Sequence, residues 1–224
     1  NVEDIPLHVP QGGKVAVIGR SGAGKSTLMQ LILGELTPAK GTVTINGVPV
    51  RETASHRGRL FAMLNQKPHL FDTTIINNIR LGRPNASDEE VRKAAELAGL
   101  LPLIESLPHA FETRVREAGV RFSGGERQRI ALARILLMDC PIVLFDEPTV
   151  GLDPITEQKI ISTIFAALDG KTLFWISHHL SGMEQMDQII FMENGRIAMQ
   201  GTHAQLMTAH ERYRKLYALD NPLS

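Results

Sequence analysis

Gly19-Arg20-Ser21-Gly22-Ala23-Gly24-Lys25-Ser26, running on into Thr27, carries the residue types that hold a chain of phosphates. The spacing is G-x-x-x-x-G-K-[ST], set between a short apolar run and a helical pattern. Glycines let the backbone wrap with its N–H groups pointing inward, and a helix opening at Lys25 aims its positive dipole end at the same spot. Lys25 then reaches the β- and γ-phosphates, and Ser26 supplies a hydroxyl to Mg²⁺. A glycine-rich turn that merely precedes a lysine would lack both flanking elements. The second half of such a site is Ile142-Val143-Leu144-Phe145-Asp146-Glu147. A buried strand delivers Asp146 to its C-terminal edge, where α/β proteins bind ligands and where a carboxylate can hold Mg²⁺. Glu147 follows at once and is placed to polarise an attacking water, a contribution of about 10²–10⁴-fold. Two acids capping a strand end would be the plain alternative; pairing with Lys25 argues against it. These two motifs imply a P-loop ATPase or GTPase and leave kinase, GTPase and transporter motor open.

Three buried-strand patterns must position these residues: Lys14–Gly19, Ile142–Asp146 and Thr172–Ser177. Each is short, apolar and rich in β-branched residues, with helical patterns between them, which predicts a parallel sheet covered on both faces. Two stretches alternate as antiparallel hairpins instead, Gly41–Val50 around Asn46-Gly47 and Gln188–Gly201 around Asn194-Gly195. Ser87-Asp88-Glu89-Glu90 has capping-box spacing and opens a helix through Leu97, ended by Gly99. Thr202-His203-Ala204-Gln205 repeats that signal.

The chain has 224 residues, 43% of them hydrophobic, enough for one substantial core. With 24 basic and 24 acidic side chains the net charge is zero, so no basic face favours nucleic acid as a partner. The single cysteine, Cys140, excludes an internal disulfide and reads as a small buried hydrophobe. No apolar run approaches the ~20 residues that span a bilayer, and no secretory signal is visible.

Phe122-Ser123-Gly124-Gly125-Glu126, followed by Arg127-Gln128-Arg129 and an apolar helix, narrows the choice. Small residues and a serine hydroxyl at a helix N-terminus bind phosphate. Since one cradle is already present, a second suggests a second nucleotide. Here the chain resembles the ABC ATPase superfamily, whose signature reads L-S-G-G-Q, and the resemblance covers essentially the whole sequence. It implies an α/β fold with a P-loop (RecA-like) core and mostly parallel sheet, a small antiparallel β subdomain and an inserted helical subdomain. The expected division is 1–65 with 136–224 for the core and β lobe, and 66–135 for the helical subdomain. It also implies ATP and Mg²⁺ as ligands, and a head-to-tail dimer in which Ser123, Gly124, Gly125 and Glu126 close over the partner's γ-phosphate. Gln66 stands where the family's Q-loop glutamine links Mg²⁺ and attacking water to the helical lobe. Val150-Gly151-Leu152-Asp153 resembles the D-loop at the dimer seam, and His178 the switch histidine that bonds the γ-phosphate. No role is expected for the neighbouring His179.

Pro68-His69-Leu70-Phe71 and Thr74-Ile75-x-x-Asn78-Ile79, after Gln66, resemble the exporter pattern, in which this loop receives a short helix of the transmembrane domain. Thr113-x-Val115-x-Glu117-x-Gly119 resembles the exporter x-loop. Within exporters the details are similar to the CydC half of the heterodimeric CydDC transporters of bacteria, which implies a CydD-like partner, thiol or haem-related export and support of cytochrome bd assembly. That reading puts the domain on the cytoplasmic face of the plasma membrane, joined to a membrane domain upstream of Asn1. Two positions depart from the pattern. Phe122 and Glu126 replace Leu and Gln, placing an acid near the partner's triphosphate. The adenine-stacking aromatic is also absent upstream of Lys14, where only His8 occurs, and is expected in the preceding chain. A soluble ABC ATPase of DNA repair or translation would need coiled-coil insertions or tandem units, and an importer motor would lack the exporter loops.

Overall fold

Runs of consecutively buried residues form the strands and amphipathic runs the helices in the computed structural model, which describes residues 2–116, 122–149 and 151–221. Glu117 and Gly119 of the x-loop and Val150 of the D-loop lie outside the described residues. In chain order the elements are β1 (Lys14–Ile18), α1 (Lys25–Ile32), β2 (Thr44–Ile45), β3 (Val48–Pro49), α2 (Arg57–Leu60), β4 (Phe61–Leu64), α3 (Ile75–Arg80), α4 (Asp88–Leu97), α5 (Leu101–Ser106), α6 (Gly124–Leu137), β5 (Ile142–Asp146), α7 (Pro154–Ala167), β6 (Thr172–Ser177), β7 (Gln188–Glu193), β8 (Arg196–Gly201), α8 (His203–Ala209) and α9 (Glu211–Asp220). The chain divides into two compact units. The first comprises 1–62, 140–145 and 170–224, and the second 63–139 and 146–169.

The first unit is built on a six-stranded sheet of order β4-β5-β6-β1-β7-β8, of which it takes β4 as far as Ala62 and β5 as far as Phe145. β1 pairs in parallel with β6 and β7, and β7 turns back antiparallel to β8. All six residues of β6 are buried, as are Val15–Ile18 and Ile189–Met192. Burial of successive residues means that side chains pointing to opposite faces are covered alike, as expected of a parallel sheet with both faces packed. Both hairpins form at their Asn-Gly turns, with Asn46 at φ 50 and Asn194 at φ 50, the left-handed backbone such turns require. β4 has no counterpart in the sequence reading. At four residues without alternation, Phe61–Leu64 carries too little pattern to be singled out.

Two further helices close this unit. Thr202 caps α8 in a reciprocal box with Gln205. Tyr213 of α9 is wholly buried, its hydroxyl 3.0 Å from His203 Nδ1, and burial pushes the phenol well above its usual range. Cys140 is buried here too.

The second unit is helical. α6 packs against α3 and α4, and α4 also against α7. Ile75, Ile79, Val91, Ala95, Leu100, Ile104, Ile130 and Ala133 are fully buried and form its core. The Ser87–Glu90 capping box opens α4, and Gly99 follows it at φ +67. Among the described residues no helix is long and apolar enough to cross a membrane.

Candidate functional site

In the first unit, the loop from Gly19 to Gly24 joins the end of β1 to the start of α1. Gly24 is the residue before the helix, at φ 103, where an L side chain is strained; a Cβ there would also meet Val2 at 2.9 Å. Gly19 is required for a different reason, since a Cβ on it would lie 2.5 Å from the Met192 carbonyl oxygen. The tight wrap is held by Ala23 N–H donating to Arg20 at 3.1 Å and Gly195 N–H donating to Ala23 at 3.0 Å. Lys25 is buried, and its ammonium donates to the carbonyls of Gly19 and, at 3.2 Å, Arg20. The cation therefore sits inside the loop, curled against backbone that the expected phosphates would share. Ser26 and Thr27 follow on the first turn of α1, which holds no acidic residue to oppose an anion. Arg20, Ser21 and Gly22 form the exposed crest of the loop. His178 comes directly after β6, its ring centroid 4.0 Å from that of His179.

The second unit brings Gln66 and Glu147 together. Gln66 Nε2 donates to Glu147 Oε2 at 3.0 Å, although 81 positions separate them. Glu147 takes a left-handed backbone, φ 52, immediately after Asp146 ends β5. Such a conformation is uncommon for glutamate and turns its side chain sharply from the strand direction. Beneath the pair lies Gln128, which is buried; its Nε2 reaches the Asn65 carbonyl at 3.5 Å and the Glu147 carbonyl at 3.4 Å. The residue before Gln66 and the backbone of Glu147 thus share one amide. The sequence reading passed over Gln128; its only signal was an uncharged polar residue between Arg127 and Arg129 at the head of an apolar helix.

Ser123 is the N-cap of α6. Its hydroxyl accepts from Glu126 N–H at 3.3 Å, and Glu126 Oε2 accepts from Ser123 N–H at 2.7 Å. The acid that replaces the usual glutamine is therefore one half of a capping box, a place equally suited to Glu and Gln. Gly124 and Gly125 form the first turn of the helix, and a Cβ on Gly125 would lie 3.3 Å from Leu152 of the D-loop. Asp153 caps α7 by accepting from Thr156 N–H at 3.0 Å, and hydrogen bonding from the Thr156 side chain first and its backbone second holds the carboxyl below the usual range.

Farther along α6, Arg134 donates to the carbonyls of Asn78 at 2.9 Å and His69 at 3.3 Å. The wholly buried Asn78 in turn exchanges bonds with the backbone of Phe71 and donates to that of Thr74. Phe71, half exposed, lies under the Arg134 guanidinium. The loop 69–74 is so fixed from behind, with its aromatic residue left at the surface.

The cradle of the first unit fits the phosphates of a Mg-nucleotide, offering a glycine-lined loop and a buried cation at a helix start, with the Ser26 hydroxyl beside it an oxygen of the kind Mg²⁺ takes. In the second unit, Asp146 offers a carboxylate of the same kind. No cluster of three or more His, Cys, Asp or Glu able to hold a metal unaided occurs among the described residues.

The sequence profile described as "ABC transporter" matches residues 2–150. The chain is 59% identical over 213 residues to the glutathione/L-cysteine transport system ATP-binding/permease protein CydD of Bacillus subtilis, covering 95% of this chain and 37% of that protein. It is 41% identical to the CydC protein of the same system and organism, covering 96% of this chain and 38% of that one. A solved structure of a bacterial Atm1-family ABC exporter with ATP bound superposes with a TM-score of 0.85 at 39% identity, over 94% of this chain and 37% of the other. The chain thus spans well under half the length of these relatives.

Proposed function

The chain belongs to the ABC transporter family and is an ATPase domain of the exporter kind, and from that premise we propose that it is the motor of one half of a CydDC-type exporter of small thiols. In this reading it works on the cytoplasmic face of a bacterial plasma membrane, joined to a membrane-spanning half as in the relatives named ATP-binding/permease proteins. The sequence alone leans to the CydC half; the greater identity to CydD, 59% against 41%, favours that half, with a CydC-like chain as partner.

The observation that carries the hydrolytic reading is the hydrogen bond from Gln66 to Glu147. An amide donating to one oxygen fixes the orientation of the carboxylate, and an oriented carboxylate is what a general base for hydrolysis needs. Lys25 binds the β- and γ-phosphates, together with the backbone of Gly19, Arg20, Ser21, Gly22, Ala23, Gly24, Ser26 and Thr27. Ser26, Asp146 and Gln66 would hold Mg²⁺, as the family resemblance implies. The ion, once bound, offsets the charge that builds on the phosphate oxygens. Glu147 takes a proton from the attacking water, and His178 donates to the γ-phosphate. Ser123, Gly124, Gly125 and Glu126, with Asp153 at the seam, serve the nucleotide of the partner domain in a head-to-tail dimer.

The test is transport. Inverted membrane vesicles carrying the complete transporter are expected to accumulate cysteine or glutathione when ATP is supplied, and vesicles with Glu147→Gln are not. Accumulation of neither thiol by an ATP-hydrolysing transporter would remove the substrate class and leave the motor reading intact.

A further inference from the structure

Asp220 is the last residue of α9, where an acid is unfavourably placed against the negative end of the helix dipole. Its partners lie elsewhere in the first unit. Oδ2 accepts from the backbone N–H of Leu180 at 2.9 Å, and Oδ1 lies 3.3 Å from His179 Nδ1. Leu180 is buried, and the Asp220 side chain is 24% exposed, so the carboxylate is largely shielded from water. Both contacts grip the two residues that follow His178. The same segment is tied at its other end, where His179 N–H donates to the Ser177 hydroxyl at 2.9 Å. The His179 ring, held by Asp220, lies against the His178 ring at a tilt of 44°. α9 is itself anchored through buried Tyr213 against His203 and through Tyr217 donating to Glu184.

We propose that Asp220 is a positioning residue for His178, clamping the backbone and ring behind it so that the imidazole is presented to the γ-phosphate. Helix α9 is thereby part of the γ-phosphate switch, and an ordering of α9 is felt at His178 through two hydrogen bonds. The inference rests on the reading of His178 as the γ-phosphate contact. A carboxylate that only fastened α9 would affect stability and the binding of every nucleotide alike. A positioning residue affects only the nucleotide that has a γ-phosphate.

The experiment measures, on the complete transporter, the ratio of Kd for ADP to Kd for the non-hydrolysable imido analogue of ATP. His178→Ala is expected to lower this ratio about tenfold and Asp220→Ala about threefold, with ADP affinity held within about twofold. Asp220→Asn keeps an oxygen for the Leu180 N–H and is expected to restore most of the loss. In the His178→Ala background, Asp220→Ala is expected to change nothing further, because its route is already cut. His179→Ala, at a half-exposed side chain, is expected to lower the ratio as Asp220→Ala does and carries the test if that variant does not fold. An unchanged ratio in Asp220→Ala and His179→Ala, equal losses for both nucleotides, or an undiminished effect without His178 would each overturn the proposal. No change in the ratio for His178→Ala alone would instead remove the role of His178 on which it rests.

Discussion

Replacing Glu126 separates its place in the capping box from the role proposed for it at a partner's nucleotide. Glu126→Gln keeps an oxygen for the Ser123 N–H, whereas Glu126→Ala removes it. Loss of that hydrogen bond costs about 1 kcal/mol net, and loss of a negative charge in the first turn adds about 0.5 kcal/mol. Alanine therefore destabilises by about 1.5 kcal/mol and glutamine by about 0.5 kcal/mol. At about 2–4 °C per kcal/mol for a chain of this size, the expected falls in Tm are about 3–6 °C and about 1–2 °C. Differential scanning fluorimetry of the ATPase domain measures both. The charge has a second consequence at the partner's site. Two unit charges about 6 Å apart in a water-like dielectric repel by about 0.7 kcal/mol, less after salt screening. Glu126→Gln is thus expected to tighten ATP at the partner's P-loop by about threefold at low salt and leave the nucleotide on Lys25 unaffected. If glutamine proves as destabilising as alanine, the reciprocal cap does not matter to α6. If ATP at the partner's site is not tightened, Glu126 does not face that nucleotide.

Glu147→Gln is expected to keep ATP binding and to lower hydrolysis by at least about 10²-fold in the assembled transporter; near-normal turnover would remove it as general base. Lys25→Ala is expected to weaken ATP itself, since a cation aimed at the β- and γ-phosphates is gone; isothermal calorimetry with unchanged affinity would contradict the cradle. Gln128→Ala frees the Asn65 and Glu147 carbonyls from their shared amide and is expected to lower kcat about tenfold with KM nearly unchanged, whereas a parallel rise in KM would make Gln128 a packing residue only. In a heterodimer with one weaker site, mutating Glu147 is expected to abolish most turnover and mutating the matching glutamate of the partner to matter less. Equal losses, or a homodimer by native mass spectrometry, would end that asymmetry.

What the sequence shows without help is what the chain decides locally. The Asn46-Gly47 and Asn194-Gly195 turns, the three capping boxes opened by Ser87, Ser123 and Thr202, and strands β5 and β6 follow from residues within a few positions of one another. The sequence points to caps at the first and last of those boxes and to phosphate binding at the Ser123 segment; the structure adds that the same serine and glutamate close the helix start. Contacts made across the chain left little trace. Gln128 reaches residues 63 and 19 positions away, and Arg134 reaches Asn78 over 56. Neither interrupts the apolar periodicity of α6 enough to stand out, because a buried amide or half-buried guanidinium with its partners satisfied takes an inward position much as a hydrophobe would.

Asp220 shows where a local rule fails in a useful direction. Helix-end preferences place Lys, Arg or His in a last turn, so an acid there reads as a small misfit. Glu147 is a second misfit, a glutamate in left-handed backbone. Misfit alone selects too much, because Asp4 and Ala110 also have positive φ. The discriminating observation is what the misfit side chain does. Asp220 accepts a backbone N–H from 40 positions upstream, and Glu147 accepts the Gln66 amide from 81 positions upstream. A locally unfavourable residue persists when a distant partner over-determines it. The proposed reading gives both a part in handling the γ-phosphate, Glu147 as the base and Asp220 behind His178. The local cost is met by contacts from far along the chain, which is why neither residue could be understood from its own neighbourhood in the sequence.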